Sequence, residues 1–418
     1  MRKRTILSVL SLLLVLVMAL TACNGGSEAT TAPVPDVTEA PVAETDEPEA
    51  ETDETEAEAE QPGSDTRIAV ICSAAGQNDS GYNKAIVEKV NALAAEKGFH
   101  AQIVEPTSGV PNAIETMAED GYNLIFSMEY DFEALVNGVG GAKPLAEQYP
   151  DTTFVVFNDN PNLTEDGEVK HANVISVLFN INEPSYLAGY LYGHMNEEMD
   201  TLFGDTYKFV STDTARAAGF IGGTNSAGIV VTSYAFIQGL NDAAEELDVE
   251  YEFYQKLDAG FSDSAEGSTV AGTFYDQNAN IVFAVAGTVG DGVTSKAKEV
   301  GRLAIQVDAD LDDQQPGHVL TSVLKLTDVP GETIVNAYLD GTIDELDRLQ
   351  TFGVASGATD ITDMSVISEF IEDEAAWTAL REKTDAKKQA IIDGTLEIID
   401  AQAGDTFEAA DYPNVNVN

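Results

Sequence analysis

Short apolar runs recur along the chain from Thr66 onward, each ending in a polar or glycine-rich stretch. Arg67–Ile71, Leu124–Met128, Thr153–Phe157 and Val174–Leu178 are apolar almost throughout rather than alternating, which predicts strands buried on both faces. A second series opens at Ala218–Ile221 and continues through Ile281–Val285, Leu303–Val307 and Val319–Lys325. Helical spacing predicts helices over Asn83–Lys97, closed by Gly98, then from Ser185 to Tyr192, Tyr234–Leu247, Val293–Val300 and Val329–Leu339. A further segment, Asp131–Val136, follows the second strand, and a C-terminal helix pair is expected to end near Gly394. Strands alternating with helices imply mostly parallel sheets covered by helices, an α/β class. Two such series imply two lobes around a central cleft. The expected N-terminal lobe is 66–180 plus about 309–348, and the C-terminal lobe is 181–308 plus about 349–418.

In open α/β sheets, ligands bind beyond the carboxyl ends of the strands. Those ends carry polar, glycine-rich loops here: Ser73–Asn83, Asn158–Asn160, Gly222–Gly228, Gly287–Gly292 and Asp308–Asp313. Facing one crevice, they would make a site for a single small polar ligand. Nothing assembles a nucleophile with a base, so no enzyme activity is expected and no cofactor is implied. The four histidines have no tight metal spacing, and Asp308–Asp313 lacks both the glycine and the closing glutamate of a calcium loop.

The segment before this body changes the picture. Arg2, Lys3 and Arg4 precede an apolar run from Ile6 to Leu20, and Leu20-Thr21-Ala22-Cys23 follows. Charged, apolar and small residues in that order read as a secretory signal peptide over 1–22, and the run is short for a membrane-spanning helix. The version ending in cysteine resembles the lipobox of bacterial lipoproteins, which implies lipidation (palmitate) at Cys23 and an extracytoplasmic, membrane-anchored protein. Residues 24–65 carry no Lys, Arg or aromatic side chain and are rich in Glu, Asp, Thr, Ala and Pro. Such a tract has too little apolar surface to offset ordering entropy and reads as a disordered acidic tether. The chain has a net charge of −51, which argues against nucleic acid as a partner. With Cys23 acylated, Cys72 is left alone at the end of the first strand and reads as a buried structural thiol.

Motifs then narrow the family. Asn78-Asp79-Ser80-Gly81-Tyr82-Asn83 after the first strand resembles the Asn-Asp-x-Ser-Phe-Asn signature of the basic membrane protein family, lipoproteins that bind substrates for ABC importers and include purine nucleoside receptors. Ser185-Tyr186-Leu187-Ala188-Gly189, with Glu183 just before it, is similar to the family's most distinctive stretch. Gly219-Phe220-Ile221-Gly222-Gly223, Val307-Asp308-Ala309-Asp310, Leu320-Thr321-Ser322-Val323-Leu324-Lys325 and Ile391-Ile392-Asp393-Gly394-Thr395 follow in family order. The resemblance implies a two-lobed periplasmic-binding-protein-like (type I) fold that closes on a nucleoside-like solute and delivers it to an ABC permease.

It also implies roles for particular residues. Tyr82 would stack on a base, which contributes roughly 1–3 kcal/mol. Asp308 would accept hydrogen bonds from ribose hydroxyls, with Lys325 as donor or as its ion-pair partner. Asn83 would contact ligand or cap the helix behind it, and Gly287, with Gly290 and Gly292, would admit backbone close to the ligand or simply serve the geometry of a turn. Departures from the family matter as well. Ser73 and Asn158 stand where nucleoside-binding members carry Asp, so the preference for the base edge should differ. The second-lobe aromatic is displaced, with Thr232 in the aligned place and Tyr234 two residues on. Glu129 ends the second strand where a small residue is usual, and is expected to replace the lost carboxylate or to meet an amine on the ligand. Two other functions stay open: a ligand sensor or surface signalling lipoprotein of the same fold, and a nucleoside-processing enzyme.

Overall fold

The computed structural model describes residues 65–418 apart from 80, 130 and 165, so the signal segment, Cys23 and the acidic tract lie outside the described residues. The first lobe runs β1 (Arg67–Ile71), α1 (Tyr82–Lys97), β2 (His100–Val104), α2 (Val110–Glu119), β3 (Leu124–Ser127), the short α3 (Glu133–Val136) and α4 (Leu145–Gln148), β4 (Thr153–Phe157) and β5 (Val174–Phe179). The chain then passes through α5 (Asn182–Glu197) and the short α6 (Met199–Leu202) into β6 (Ala217–Gly222), α7 (Ala227–Leu247), β7 (Tyr251–Lys256), α8 (Ser264–Asp276), β8 (Ile281–Val285), α9 (Thr288–Val300), β9 (Leu303–Asp308) and β10 (Val319–Lys325). It closes with α10 (Asp328–Leu339), β11 (Leu349–Phe352), β12 (Thr359–Ile361), the short α11 (Ser365–Ser368), α12 (Glu374–Ile392) and β13 (Val415–Val417).

Two sheets result, ordered β11-β5-β4-β3-β1-β2 and β12-β10-β9-β8-β6-β7-β13. Pairing is parallel throughout except between β10 and β12. Central strands such as Ile68–Ile71 and Ile281–Val285 are buried at every position, as sheets covered by helices on both faces require. Each sheet separates two apolar clusters. Ile68, Val70, Phe126 and Phe157 pack on the α1 side of the first sheet, and Ala69, Ile71, Ile125 and Phe154 on the α2 side.

The lobe boundaries differ from those expected. β10 belongs to the second sheet although the expected first lobe includes 309–348, and β11 belongs to the first sheet although the expected second lobe includes 349–418. The chain therefore crosses between lobes after β5, after β10 and again after β11. Between the later two crossings α10 returns to the first lobe, where Lys89 on α1 bonds Glu332 at 2.7 Å and Gly331 sits against Ile86. Glu183 ties two crossings together by accepting from the backbone N–H of Val354 (2.7 Å) and the amide of Asn180 (2.9 Å).

The stretch Ser185–Gly189 lies inside α5, which is buried along most of its length against α7. A Cβ at Gly189 would strike the Phe236 carbonyl, and one at Gly239 would strike the Tyr186 carbonyl, so both glycines exist to let the two helices touch. Cys72 is fully buried, and burial pushes its thiol up to about 12, an inert structural thiol.

Candidate functional site

A cavity of about 860 Å³ opens between the lobes at the carboxyl ends of their strands. From the first lobe come Ser73, Asp79, Gly81, Tyr82, Met128, Glu129 and Asn158. The second contributes Gly228, Ile229, Thr232, Phe261, Ala286, Gly287, Thr288 and Asp308, with Lys325 at the end of β10.

Its first-lobe side is tightly braced. Asp79 accepts from the backbone N–H groups of Gly81, Asn83 and Lys84 (3.1 Å each), a carboxylate over the first turn of α1. The Asn83 side chain accepts from Ser73 N–H at 2.9 Å and donates to the Ser73 hydroxyl at 2.8 Å, so it joins the β1 loop to α1. Glu129 accepts from Ala74 N–H at 2.9 Å and links the loops after β1 and β3. The Tyr82 hydroxyl donates to the Met128 carbonyl at 3.2 Å and receives the Asn158 amide at 2.5 Å, while the Tyr82 carbonyl accepts from buried Thr327 at 2.7 Å.

Asn158 and Asp308 end β4 and β9 in left-handed conformations, φ 61° and 75°. Side chains adopt that region at a cost of order 1 kcal/mol, a strain that concentrates at functional sites. Asp308 and Lys325 are neighbours across the β9–β10 ladder, where Leu324 faces Asp308. Burial raises the Asp308 carboxyl, with Lys325 opposing and Asp79 adding to the rise. Burial lowers the Lys325 ammonium against the pull of Asp308. Its Nζ lies 5.3 Å from the Tyr82 ring centre and 5.5 Å from that of Phe179, a cation held against two aromatic rings. Neither Asp308 nor Lys325 makes a side-chain hydrogen bond within the described residues, so both are available to a solute.

Comparison with known proteins identifies the family. The family model described as ABC transporter substrate-binding protein PnrA-like matches residues 66–398. The chain belongs to that family. Among its relatives is an ABC transporter nucleoside-binding protein, BmpA, of Lactococcus lactis subsp. cremoris, 25% identical over 80% of this chain and 89% of its own. Basic membrane protein A of Borreliella afzelii is 24% identical over 67% of this chain and 78% of its own. A solved solute-binding protein of an ABC transporter system from Aeropyrum pernix K1 shares the fold, with a TM-score of 0.63 at 18% identity, covering 83% of this chain and 95% of that one.

For this PnrA-like chain, the cavity gathers Tyr82, Glu129, Asn158, Gly287, Asp308 and Lys325 of the candidate residues. Asn83 and Tyr234 are not among its walls. Asn83 is fully buried as a brace, and Tyr234 stacks on Phe407 of the C-terminal segment with ring centres 4.8 Å apart. Thr232, two residues earlier on α7 and so on another face of the helix, reaches the cavity instead. Gly290 and Gly292 lie within α9. A Cβ on the first would meet the Gln306 amide at 2.6 Å, and one on the second would strike the Ser264 carbonyl, so they serve packing and not the ligand. Phe261, 47% exposed in the loop after β7, was not anticipated. Recognising Tyr251–Lys256 as a strand would have marked its loop as a cleft loop.

Proposed function

We propose that this chain is the extracytoplasmic solute-binding component of an ABC importer, anchored by lipid at Cys23, and that it captures a purine nucleoside or a close relative. The observation that carries the ligand class is the pairing of an aromatic face, Tyr82, with two half-buried charges of opposite sign, Asp308 and Lys325, that bond no described side chain, in one cleft. A nucleoside matches that set, with a flat base for the ring and ribose hydroxyls for the carboxylate and ammonium. The nucleoside-binding protein of Lactococcus lactis supports the same reading. Asn158 would face the base edge, Glu129 would take a further donor of the ligand, and Gly287 would admit it close to backbone. Capture proceeds by closure about the three crossings, because a ligand that bridges both walls favours the closed state by its differential affinity.

The test is a thermal-shift screen of purified chain against purine nucleosides, pyrimidine nucleosides and free pentoses. A ligand that binds only the native state raises the midpoint with the logarithm of its concentration. No shift with any nucleoside overturns the ligand assignment. Release of Cys23→Ala from the membrane fraction, with binding by the body unchanged, checks the anchor separately.

A further inference from the structure

The first wall contains a relay that decides which end of Asn158 the ligand meets. We propose that the Tyr82 hydroxyl positions the Asn158 amide so that Oδ1, and not Nδ2, is presented to the cavity, making this position selective for a ligand N–H or O–H. The inference rests on the nucleoside reading for its probes, though not for its geometry.

A tyrosyl hydroxyl has one proton, and the Met128 carbonyl 3.2 Å away can only accept it. The phenol oxygen is thereby left as an acceptor, and the group that approaches it from Asn158 at 2.5 Å is the amide NH₂. An amide held by its nitrogen turns its oxygen the other way. Asn158 Oδ1 has no hydrogen bond from any described residue, and Asn158 lines the cavity. Two further restraints keep the group from swinging. The left-handed backbone of Asn158 is pinned by its N–H on the Val177 carbonyl at 2.8 Å, and Tyr82 is tied at its own carbonyl by Thr327. With phenylalanine at position 82, nothing in this relay would distinguish the two amide orientations. Asparagine would then serve donors and acceptors alike by a half-turn. Tyr82 therefore acts through Asn158 as a positioning residue for specificity, separately from the stacking its ring face offers.

The test uses the full chain and two purine nucleosides that differ at the base edge: inosine, which has an N1–H donor, and purine riboside, whose N1 only accepts. Calorimetry should find inosine about ten- to a hundredfold tighter, the effect of leaving a buried acceptor facing an acceptor. In Tyr82→Phe the ratio should fall to within about threefold, chiefly because purine riboside gains as the amide is freed to rotate. A purely structural role for the hydroxyl would weaken both ligands together and leave the ratio intact. Asn158→Asp in the Tyr82→Phe background should restore the preference for inosine, since a carboxylate accepts at either oxygen. Equal affinities in the unmodified protein, or an unchanged ratio in Tyr82→Phe, overturn the proposal and leave the nucleoside reading standing. Should neither nucleoside bind, that reading fails, and the relay is still decided without ligand. The Asn158 side-chain amide protons, assigned by their loss in Asn158→Asp, should exchange with water about tenfold more slowly than in Tyr82→Phe. Equal exchange overturns the relay.

Discussion

On the first lobe the cleft wall is made of anchored side chains: Tyr82, Glu129 and Asn158 each hydrogen-bond another segment of that lobe. On the second it is largely small residues and backbone, Gly228, Ala286, Gly287 and Thr288, interrupted by Asp308 and by the exposed ring of Phe261. A wall of braced polar groups discriminates, because its donors and acceptors cannot readjust to a wrong partner. A wall of small residues fits closely around whatever the other has selected. On the proposed reading, the difference gives selection of the ligand's polar edge to the first lobe and close fit to the second, where Asp308 and Lys325 are the charged groups.

Asp308→Ala should have the largest effect. It removes an acceptor that no described residue satisfies and leaves half-buried Lys325 without its neighbouring counter-charge, so nucleoside affinity should fall by about 2–4 kcal/mol. Calorimetry measures this directly. An affinity within a few-fold of the unmodified protein would place recognition entirely on the first wall. Next in size is the contrast between the two rings. Tyr82→Ala should cost about 1–3 kcal/mol of binding, the usual worth of one stacked aromatic. Phe261→Ala should cost less, because that ring is half exposed on a loop and Tyr82 is fixed from three directions. The reverse order would show that the second wall, and not the braced one, supplies the stack.

How far this arrangement could be read from the sequence depended on how each segment is buried. Strands with both faces covered, such as Thr153–Phe157 and Ile281–Val285, are continuous apolar runs and stand out. His100–Val104 at a sheet edge and Tyr251–Lys256 near the other sheet's edge are half exposed, so their polar residues hid them. Missing the second hid Phe261 as well. α8, with Gly267 and Gly272, offered a weak helical signal, and its first glycine is there to seat against the Val289 carbonyl of α9. Gly290 and Gly292 are packing positions, while Gly287 lines the cavity, since a sequence does not tell whether the space a glycine leaves is filled by ligand, turn or helix. The motif Asn78–Asn83 could not separate Tyr82, which lines the cavity, from Asn83, which holds the loop behind it. That division depends on which neighbour a side chain meets across ten or more residues of chain. The lobe exchange at β10 and β11 was hidden similarly, because parallel strands reveal their partner only through topology.

A smaller effect should come from the contact where the walls meet. Gly81, at the start of α1, is extended and not strained, yet a Cβ there would collide with the Ala309 methyl just beyond Asp308. Gly81→Ala should therefore press the walls apart and weaken binding by about 1–2 kcal/mol, an overpacking cost where the two walls meet. Ligand-free stability should change little. Ala309→Gly in the same chain should recover most of the affinity, which no loss of a ligand contact would allow.

The smallest effect on binding, and the sharpest on stability, belongs to Asp312, which holds the second wall from behind. Its carboxylate is 1% exposed and accepts from Ser322 at 2.7 Å and Thr362 at 2.6 Å, joining the loop after Asp308 to β10 and β12. Burial raises it to about 6 in spite of those bonds. An acid with a raised native value binds more protons folded than unfolded between about pH 4 and 6, so its contribution to stability declines as pH rises through that window. Asp312→Asn removes the titration. Thr362 can turn its proton to Thr321, 2.8 Å away, and accept from the new amide. The variant and the unmodified protein should be close in stability at pH 4. Above pH 6 the variant should be more stable by on the order of 1–3 kcal/mol, while nucleoside affinity stays within about twofold. Denaturant midpoints across that range decide it. A variant less stable at pH 7 than at pH 4, relative to the unmodified chain, would mean that the charged form of Asp312 is what holds the second wall together.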